Sequence, residues 1–198
     1  GNGAFMKTLS MAKDLGTLLA SVGELYGIDV STCYTGMDKP LGNRVGLWCE
    51  VLESIKCLKG NGPEDLMRVV FHLGKKALQM AGIHNPTEKL RIAISDGSAL
   101  SKFREMVSAH GGSLESLDDP NTHQPQFRDK VCAEKDGYIS YMDTRNLGMA
   151  AVDIGSGRLQ KGDVLDSAAG IILHKKIGDS VNVGESIIEY FCSDIDKY

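Results

Sequence analysis

The sequence predicts an α/β fold in two parts: the end of a mixed α/β domain over residues 1–110, and a small β-rich domain over residues 131–198. Three observations lead to this prediction. Apolar residues recur at helical spacing through most of the first part. After about residue 131, short apolar runs are separated by glycines, as in a β-rich domain. Residues 111–130 are polar and rich in turn formers, so we interpret them as a linker.

The composition excludes several classes of function. The chain has 198 residues, of which 42% are hydrophobic and 24% charged, with a net charge of −4. This balance offers no basic surface to nucleic acid or to an anionic membrane. The five cysteines include no Cys-x-x-Cys pair and indicate reduced thiols. Without an apolar run of about 18 residues or a signal sequence, we expect a cytoplasmic protein with no nucleic-acid or membrane partner.

The first part opens with a glycine loop and a long amphipathic helix. Its predicted apolar stripe consists of Met11, Ala12, Leu15, Leu18, Leu19, Val22, Leu25 and Tyr26. Gly16 and Gly23 each cost a helix about 1 kcal/mol relative to Ala, so we expect them to allow close packing against a neighbour. Residues 28–35 have the β-branched content of a short buried strand. Helix and strand together form one αβ step of a layered domain.

A loop and four helices complete the first part. Residues 36–42 contain Pro40 between two glycines and predict a loop at the end of the strand, where α/β proteins face ligands. A helix with an apolar face follows over residues 45–58, and Pro63 at position N1 begins another that runs to Met80. Two further helices are predicted, one around Leu90 and one from Ser98.

The second part is predicted to be mainly β-strand, with one helix over residues 145–152. Its apolar runs cover residues 131–133, 138–142, 171–174 and 186–191.

Several motifs have both a functional and a structural interpretation when they are considered alone. A Gly-x-Gly turn such as residues 1–3 is usually an ordinary strand-to-helix turn. The sequence His-Lys-Lys at residues 174–176 is either an anion site or the solvated shoulder of a hairpin. Two acids at residues 118–119 are either paired carboxylates or turn formers before Pro120. The histidines at positions 72, 84, 110 and 123 have no partner at catalytic or metal spacing, and we assign them no role.

Taken together, motifs along almost the whole chain resemble one family, the thymidine and pyrimidine-nucleoside phosphorylases. The matching segments occur in the family's order. They are residues 1–6 (GNGAFM), 35–42 (TGMDKPLG), 58–66 (LKGNGPEDL), 97–107 (GSALSKFREMV), 136–150 (DGYISYMDTRNLGMA), 155–158 (GSGR) and 170–179 (GIILHKKIGD). Residues 113–130 contribute nothing diagnostic.

The resemblance implies phosphorolysis of thymidine or uridine by an intact protein, a homodimeric pentosyltransferase. Inorganic phosphate, the co-substrate, attacks C1′ of the nucleoside and releases the free base and pentose 1-phosphate, with no organic cofactor and no covalent intermediate. Catalysis of this kind depends on positioning and electrostatic stabilisation. In the family the phosphate-binding and base-gripping motifs precede the glycine loop, and no catalytic residue of the family is matched in this sequence. We therefore expect an upstream truncation and no activity from these 198 residues alone.

The resemblance assigns roles to four residues. Phe5 matches an aromatic residue that lines the pyrimidine pocket, although packing under a turn is an equal alternative. Leu41 and Arg44 match residues whose backbone carbonyls hold a monovalent or calcium ion in some relatives. Glu53 matches the carboxylate ligand by spacing, with Glu50 as the alternative. Oxygen ligands suit a hard cation, but the remaining ligands precede the loop in the family, so we do not expect these residues alone to bind the ion.

A second function class rests on residues 172–190. Their pattern of strand, glycine turn and strand is similar to the hairpins of biotinyl and lipoyl carrier domains. A carrier needs a lysine at the tip of a tight turn, and none follows Gly184 and Glu185. The C-terminal domain of the phosphorylases resembles the same barrel-sandwich-like form. The non-catalytic carrier or interaction module is therefore the alternative hypothesis.

Overall fold

A computed structural model describes residues 3–197, with side chains through Asp196. The elements are α1 (Leu9–Leu25), β1 (Arg44–Val45), α2 (Leu47–Leu58), α3 (Glu64–Met80), α4 (Pro86–Ser95), α5 (Ser98–Ala109), α6 (Leu114–Asp118), β2 (Phe127–Cys132), β3 (Gly137–Tyr138), α7 (Thr144–Ala151), β4 (Gly170–Leu173), β5 (Ser180–Val181) and β6 (Ser186–Cys192). The mixed α/β class is as predicted. None of the helices within residues 3–197 is both long and apolar enough to span a membrane.

Helix α1 forms where the apolar period predicts it, and the two glycines explain what it packs against. Thr8 caps the helix by accepting a hydrogen bond from the Met11 backbone N–H at 3.3 Å. Gly16 and Gly23 are its buried residues. A Cβ atom added at Gly23 would lie 2.3 Å from Cγ2 of Val30, and one at Gly16 would lie 2.5 Å from the Tyr34 hydroxyl. The segment that follows the helix therefore folds back along its glycine face.

The strand predicted for residues 28–35 is wrong, because the segment has no regular secondary structure and pairs with no strand in the described chain. A strand requires a hydrogen-bonded neighbour, and β-branched composition cannot supply one. The apolar stripe of α1 is likewise exposed where burial is predicted: Leu18, Val22 and Leu25 are all open to solvent. This face of α1 has no cover among residues 3–197.

The helices α2 to α5 form near their predicted positions. Burial is concentrated in α2, where Cys49, Glu53, Ile55 and Cys57 are buried, whereas α3, α4 and α5 bury no residue completely. Pro63 is the N-cap of α3, one position before the predicted N1. Such a difference of one residue is usual at a helix end.

An antiparallel sheet with the strand order β1-β4-β6-β2 organises the second part. Strand β1 pairs with β4 through Arg44 and Ile172, so the sheet includes residues from both sides of the predicted linker. Strands β3 and β5 form a separate pair. The predicted division into domains at residues 110 and 131 remains a prediction.

The two faces of the sheet differ because side chains alternate along each strand. One face packs Ile171, Leu173 and Cys192 against Ala151 of α7 and Ile154 of the wide helical turn Val152–Ser156. The opposite face carries charged side chains, including Arg128 and Glu189, and is partly covered by α2. The main apolar core thus lies on the α7 side of the sheet.

The linker predicted for residues 111–130 contains more structure than its composition suggests. Ser113 caps the short helix α6 by accepting a hydrogen bond from Ser116 N–H at 3.2 Å. Strand β2 begins at Phe127, inside the predicted linker, and pairs with β6 along its length. The first residues of β2 are mostly polar and are therefore assigned to the linker from the sequence, but an edge strand of an antiparallel sheet can expose most of its side chains.

Candidate functional site

The glycine loop lies partly outside the described residues, since the description begins at Gly3. Phe5, the predicted pocket residue, is 89% exposed. The described residues do not pack over the Phe5 ring, and both interpretations of Phe5 remain predictions. Its ring is available to a ligand or to another polypeptide segment, and its role in base binding remains a prediction.

The loop contacts the beginning of α7, which sequence reasoning did not anticipate. A Cβ atom added at Gly3 would lie 3.3 Å from Cγ2 of Thr144, so a larger residue would crowd this contact. Asp143 caps α7 by accepting a hydrogen bond from Asn146 N–H at 3.1 Å. The Thr144 hydroxyl oxygen is buried and has no hydrogen-bond partner among residues 3–197. The structure thus brings Gly3, from the first of the resembling segments, beside Thr144 of the segment 136–150.

The predicted ion-binding residues converge on one loop. Glu53 is buried in α2, and both its carboxylate oxygens lie 3.1 Å from the backbone N of Asn43, between Leu41 and Arg44. Gly42 has φ of 73°, and a Cβ atom there would lie 2.2 Å from a Glu53 oxygen. Only glycine therefore lets the loop approach the carboxylate so closely.

Glu50, the alternative ligand, has another role. Its carboxylate accepts a hydrogen bond from the Gly46 backbone N–H at 2.9 Å and caps the beginning of α2. The structure therefore brings Glu53, and not Glu50, to the loop that contains Leu41 and Arg44.

The donor set at Glu53 fits a hard cation only with help from carbonyl oxygens. Among residues 3–197, no cluster of three or more His, Cys, Asp or Glu side chains could hold a metal. The Asn43 N–H is the hydrogen-bond donor found for Glu53 in the described chain, which leaves most of the lone pairs of a buried carboxylate free. A buried carboxylate in this state requires compensation by a positive group.

A buried ion pair holds the same loop from the other side. Lys176 Nζ lies 2.7 Å from Oδ2 of Asp65, at the start of α3, and 3.4 Å from the carbonyl oxygen of Pro40. The side chains of Lys176 and Asp65 are 11% and 24% exposed. Burial raises the pKa of Asp65, but the hydrogen bond and the charge of Lys176 outweigh this and leave the pKa below its ordinary value.

The interpretation of residues 174–176 as a solvated shoulder is therefore wrong for Lys176. Its neighbours are also engaged, because Lys175 contacts Glu185 at 2.5 Å and His174 Nε2 lies 3.1 Å from Glu189. The side chains of Lys175, Lys176 and His174 each face a carboxylate of this chain. These contacts also weaken the alternative interpretation of residues 174–176 as an anion site, because both lysines are already paired with carboxylates.

Glu189 is the centre of a second charged cluster, on the sheet face that α2 covers. It contacts Arg128 from β2 as well as His174, and it is 8% exposed. Burial raises the pKa of Glu189, but hydrogen bonds from Arg128 and His174 outweigh it and leave the pKa below its ordinary value. Sequence reasoning missed this cluster because its members come from β2, β6 and the residue that follows β4.

The adjacent acids of the linker serve as structural residues. Asp118 forms a two-point ion pair with Arg104, at 2.6 and 3.0 Å. Asp119 accepts a hydrogen bond from Asn121 N–H at 2.9 Å, which makes it the turn former predicted as one alternative.

Two cavities lie beside α2. The larger, about 420 Å³, lies between α2 and α7 and includes Glu50, Ser54 and Gly157 among its lining residues. The smaller, about 270 Å³, includes Arg44 and Trp48. Phe5 and Glu53 line neither of them. The predicted site residues are therefore not gathered around a single pocket within residues 3–197.

Comparison with known proteins shows which proteins the chain is similar to. Residues 138–197 match the family model described as the pyrimidine nucleoside phosphorylase C-terminal domain. The chain is 37% identical over 193 residues to pyrimidine-nucleoside phosphorylases from Staphylococcus aureus strains USA300 and NCTC 8325 / PS 47, and the alignment covers 95% of the chain. The chain is therefore similar to the pyrimidine-nucleoside phosphorylases over nearly its whole length, and residues 138–197 match their C-terminal domain. It spans 45% of the length of these relatives, slightly less than half.

Similarity to the phosphorylases leaves the carrier hypothesis without support. The alignment to phosphorylases covers 95% of the chain, and the match to their C-terminal domain includes the residues that suggested a carrier. The structure agrees, because the two lysines within residues 172–190, Lys175 and Lys176, both form ion pairs. Neither is available for a prosthetic group.

Proposed function

We propose that this chain is part of an enzyme that cleaves thymidine or uridine with inorganic phosphate, giving the free base and pentose 1-phosphate. The observation that carries the proposal is the 37% identity to pyrimidine-nucleoside phosphorylases over 193 residues. In this reaction an oxygen of phosphate forms a bond to C1′ while the glycosidic bond breaks, and the electron pair of that bond leaves with the pyrimidine. A protein accelerates such a step by aligning the two reactants and stabilising the charge on the departing base.

In this proposal, residues 3–197 form one wall of the nucleoside site and support it. Phe5 is 89% exposed and offers an apolar ring to the 5-position of the base. The contact between Gly3 and Thr144 fixes the loop that carries Phe5 against α7. The groups that bind phosphate and grip the base come from outside these residues, and the polypeptide alone is inactive.

We further propose that the loop at Glu53 contributes to an ion site of the intact enzyme. Leu41 and Arg44 would supply backbone carbonyl oxygens and Glu53 the carboxylate, a ligand set suited to a monovalent cation or calcium. The buried carboxylate with a single backbone donor supports this assignment. When bound, the ion would supply positive charge that fixes the loop at residues 41–44.

The exposed apolar face of α1 supports a role within a larger assembly. Leu18, Val22 and Leu25 are 61%, 44% and 85% exposed on a helix whose glycine face is already packed. An apolar surface of this kind indicates contact with further protein. We propose that the rest of a phosphorylase subunit covers it, that the C-terminal strands form the barrel-sandwich-like domain of these enzymes, and that the enzyme is a homodimer.

The decisive experiment joins this chain to the N-terminal portion of the S. aureus relative and compares the chimera with the 198-residue polypeptide. The loss of thymidine or uridine is followed by ultraviolet absorbance with and without phosphate. We expect phosphate-dependent cleavage by the chimera and none by the polypeptide alone. Activity of the polypeptide alone would disprove the division of the site, and a folded but inactive chimera would disprove the proposed reaction.

The ion site is tested in the same chimera with Glu53→Gln and the matched control Glu50→Gln. Thermal unfolding is measured with added potassium or calcium. We expect the cation to stabilise the unsubstituted chimera and the Glu50 variant, and to have no effect on the Glu53 variant. Equal stabilisation of both variants would rule out Glu53 as a ligand.

A further inference from the structure

The smaller cavity beside α2 has a floor, two walls and an unusual charge. Its floor is the charged face of the sheet, where Ile172 and Phe191 lie between Arg44 and Arg128. One wall is α2, with Trp48 and Leu52, and the other is the segment of residues 120–125. The volume is about 270 Å³.

The sheet register accounts for the two arginines on the floor. Arg44 pairs with Ile172, Ile172 pairs with Glu189, and Arg128 pairs with Phe191, two residues after Glu189. Paired residues, and residues two apart on one strand, point to the same side of a sheet. The arginines of β1 and β2, the two outer strands, therefore project from one face into the cavity that α2 covers.

The cavity has excess positive charge. Arg128 contacts Glu189, and its guanidinium carbon lies 4.7 Å from the centre of the Phe191 ring. Arg44 is half-buried and has no ion-pair partner in the described part of the chain. Among residues 3–197, no Asp or Glu side chain lines this cavity. A guanidinium has five N–H donors, so both arginines retain donors for an oxyanion.

The thiol on the wall does not offset this charge. Burial raises the pKa of Cys49 to about 11, against an opposing effect of Arg44. The thiol is therefore neutral at physiological pH.

The walls offer a flat apolar surface and polar groups near the opening. Trp48 packs edge-on against His123, with ring centres 5.2 Å apart, and its Nε1–H points to the carbonyl of Pro120 at 3.4 Å. These contacts hold the segment of residues 120–125 against α2. The side-chain amides of Asn121 and Gln124 lie at the cavity and hydrogen-bond to each other.

We propose that this cavity binds a small organic anion whose carboxylate or phosphate is carried on a molecule with one flat ring, with the oxyanion held by Arg44 and Arg128 and the ring packed against Trp48. Pockets for drug-sized ligands have volumes of about 300 Å³ or more. A cavity slightly below that range suits a single-ring acid and excludes a dinucleotide. The site includes neither Phe5 nor Glu53, and it shares only Arg44 with the proposed ion site, to which Arg44 would contribute its backbone carbonyl and not its side chain.

Trp48 is the single tryptophan of the sequence, so its fluorescence reports on this cavity alone. The 198-residue chain is titrated with benzoate, uridine 5′-monophosphate, uridine and inorganic phosphate, with excitation at the red edge of tryptophan absorption. We expect saturable changes with benzoate, with the monophosphate or with both, and the responding probe identifies the carboxylate or the phosphate as the preferred group. Uridine binding as tightly as its monophosphate would overturn the role of the anion. Inorganic phosphate binding as tightly as the responding probe would overturn the role of the ring, and no saturable response would overturn the site.

The Arg44→Met variant tests the residue that carries the proposal. We expect binding about tenfold weaker or worse, the loss of roughly one charge-assisted hydrogen bond, while the exposed-residue control Arg91→Met binds as the unsubstituted chain does. Unchanged affinity in Arg44→Met, or an equal loss in the control, would refute the proposal. If circular dichroism shows that Arg44→Met does not fold, Gln124→Glu decides, because a carboxylate at the cavity should repel the probe and unchanged affinity would refute the site.

Discussion

The ion pair between Lys176 and Asp65 makes a quantitative prediction about stability. The Asp65→Asn substitution keeps the shape of the side chain and removes its charge. Lys176 then retains the Pro40 carbonyl, at 3.4 Å, as its remaining acceptor in the described chain. With 11% of its side chain exposed, its ammonium group cannot recover full hydration.

The expected loss follows from the geometry. At 2.7 Å and an effective dielectric constant of about 20, the two charges attract by about 6 kcal/mol before the cost of desolvation is subtracted. Removal of one partner from a fully buried pair costs about 3–5 kcal/mol. Because a quarter of the Asp65 side chain is exposed, we expect a loss below that range, about 2 kcal/mol, in the free energy of unfolding.

Urea denaturation followed by circular dichroism measures this loss. The matched control is Glu64→Gln on the same helix, whose ion pair with Arg68 is largely exposed and should contribute little. Replacement of both partners, by Asp65→Leu with Lys176→Met, should recover most of the lost stability because no unpaired charge remains. A stable Asp65→Asn protein, or an equal loss in the control, would show that the pair is not buried as described.

Three further predictions follow from other sites. Gly23→Ala should destabilise the chain by about 1 kcal/mol or more, because its Cβ would lie 2.3 Å from a valine methyl carbon, whereas Gly148→Ala in α7, where nothing lies within 4 Å, should be neutral or stabilising in the same urea assay. Because the pKa of Glu189 is lowered in the folded state, its carboxylate stabilises the fold at pH values above the ordinary glutamate pKa, and this stability is lost as pH falls through the folded-state pKa. Glu189→Gln should therefore flatten the acid limb of a plot of Tm against pH, and an unchanged limb would contradict this. Cys49, with its pKa raised to about 11 by burial, should resist iodoacetamide in the folded protein at pH 8, while exposed Cys132 should react, as peptide mass spectrometry can show; rapid labelling of Cys49 would contradict its burial.

Local features of this protein could be predicted from the sequence because they depend on neighbouring residues. The helix at α1 follows from its apolar period, and the structure adds Thr8 as its cap. Its two glycines also indicated a close neighbour, which the structure identifies as the segment containing Val30 and Tyr34.

Features that depend on distant partners could not be predicted in the same way. Residues 28–35 have the composition of a strand, but strand formation requires a pairing partner that composition does not reveal. Strand β2 has mostly polar, exposed residues and is a strand because β6 pairs with it. Both errors have the same physical cause, since sheet hydrogen bonds join residues far apart in sequence.

The candidate site also contains residues that the sequence could identify and residues that it could not. Family resemblance selected Glu53 together with Leu41 and Arg44, and the structure brings Glu53 to the loop that contains the other two. Lys176 could not be linked to this loop from the sequence, because its partner Asp65 lies 111 residues away. Its neighbours in sequence suggested a solvated position, whereas its neighbours in space are an acid and a carbonyl.

The loop at residues 36–44 therefore depends on both parts of the chain. Glu53 of α2 anchors it from one side, and Lys176, which follows β4, anchors it from the other through Pro40 and Asp65. Strand β1, which continues directly from the loop, pairs with β4 as well. A change in the position of β4 would consequently move the loop and α3 together. The C-terminal strands thus act on the proposed ion site through the Lys176 ion pair and the pairing of β1 with β4, although none of their side chains is a proposed ligand.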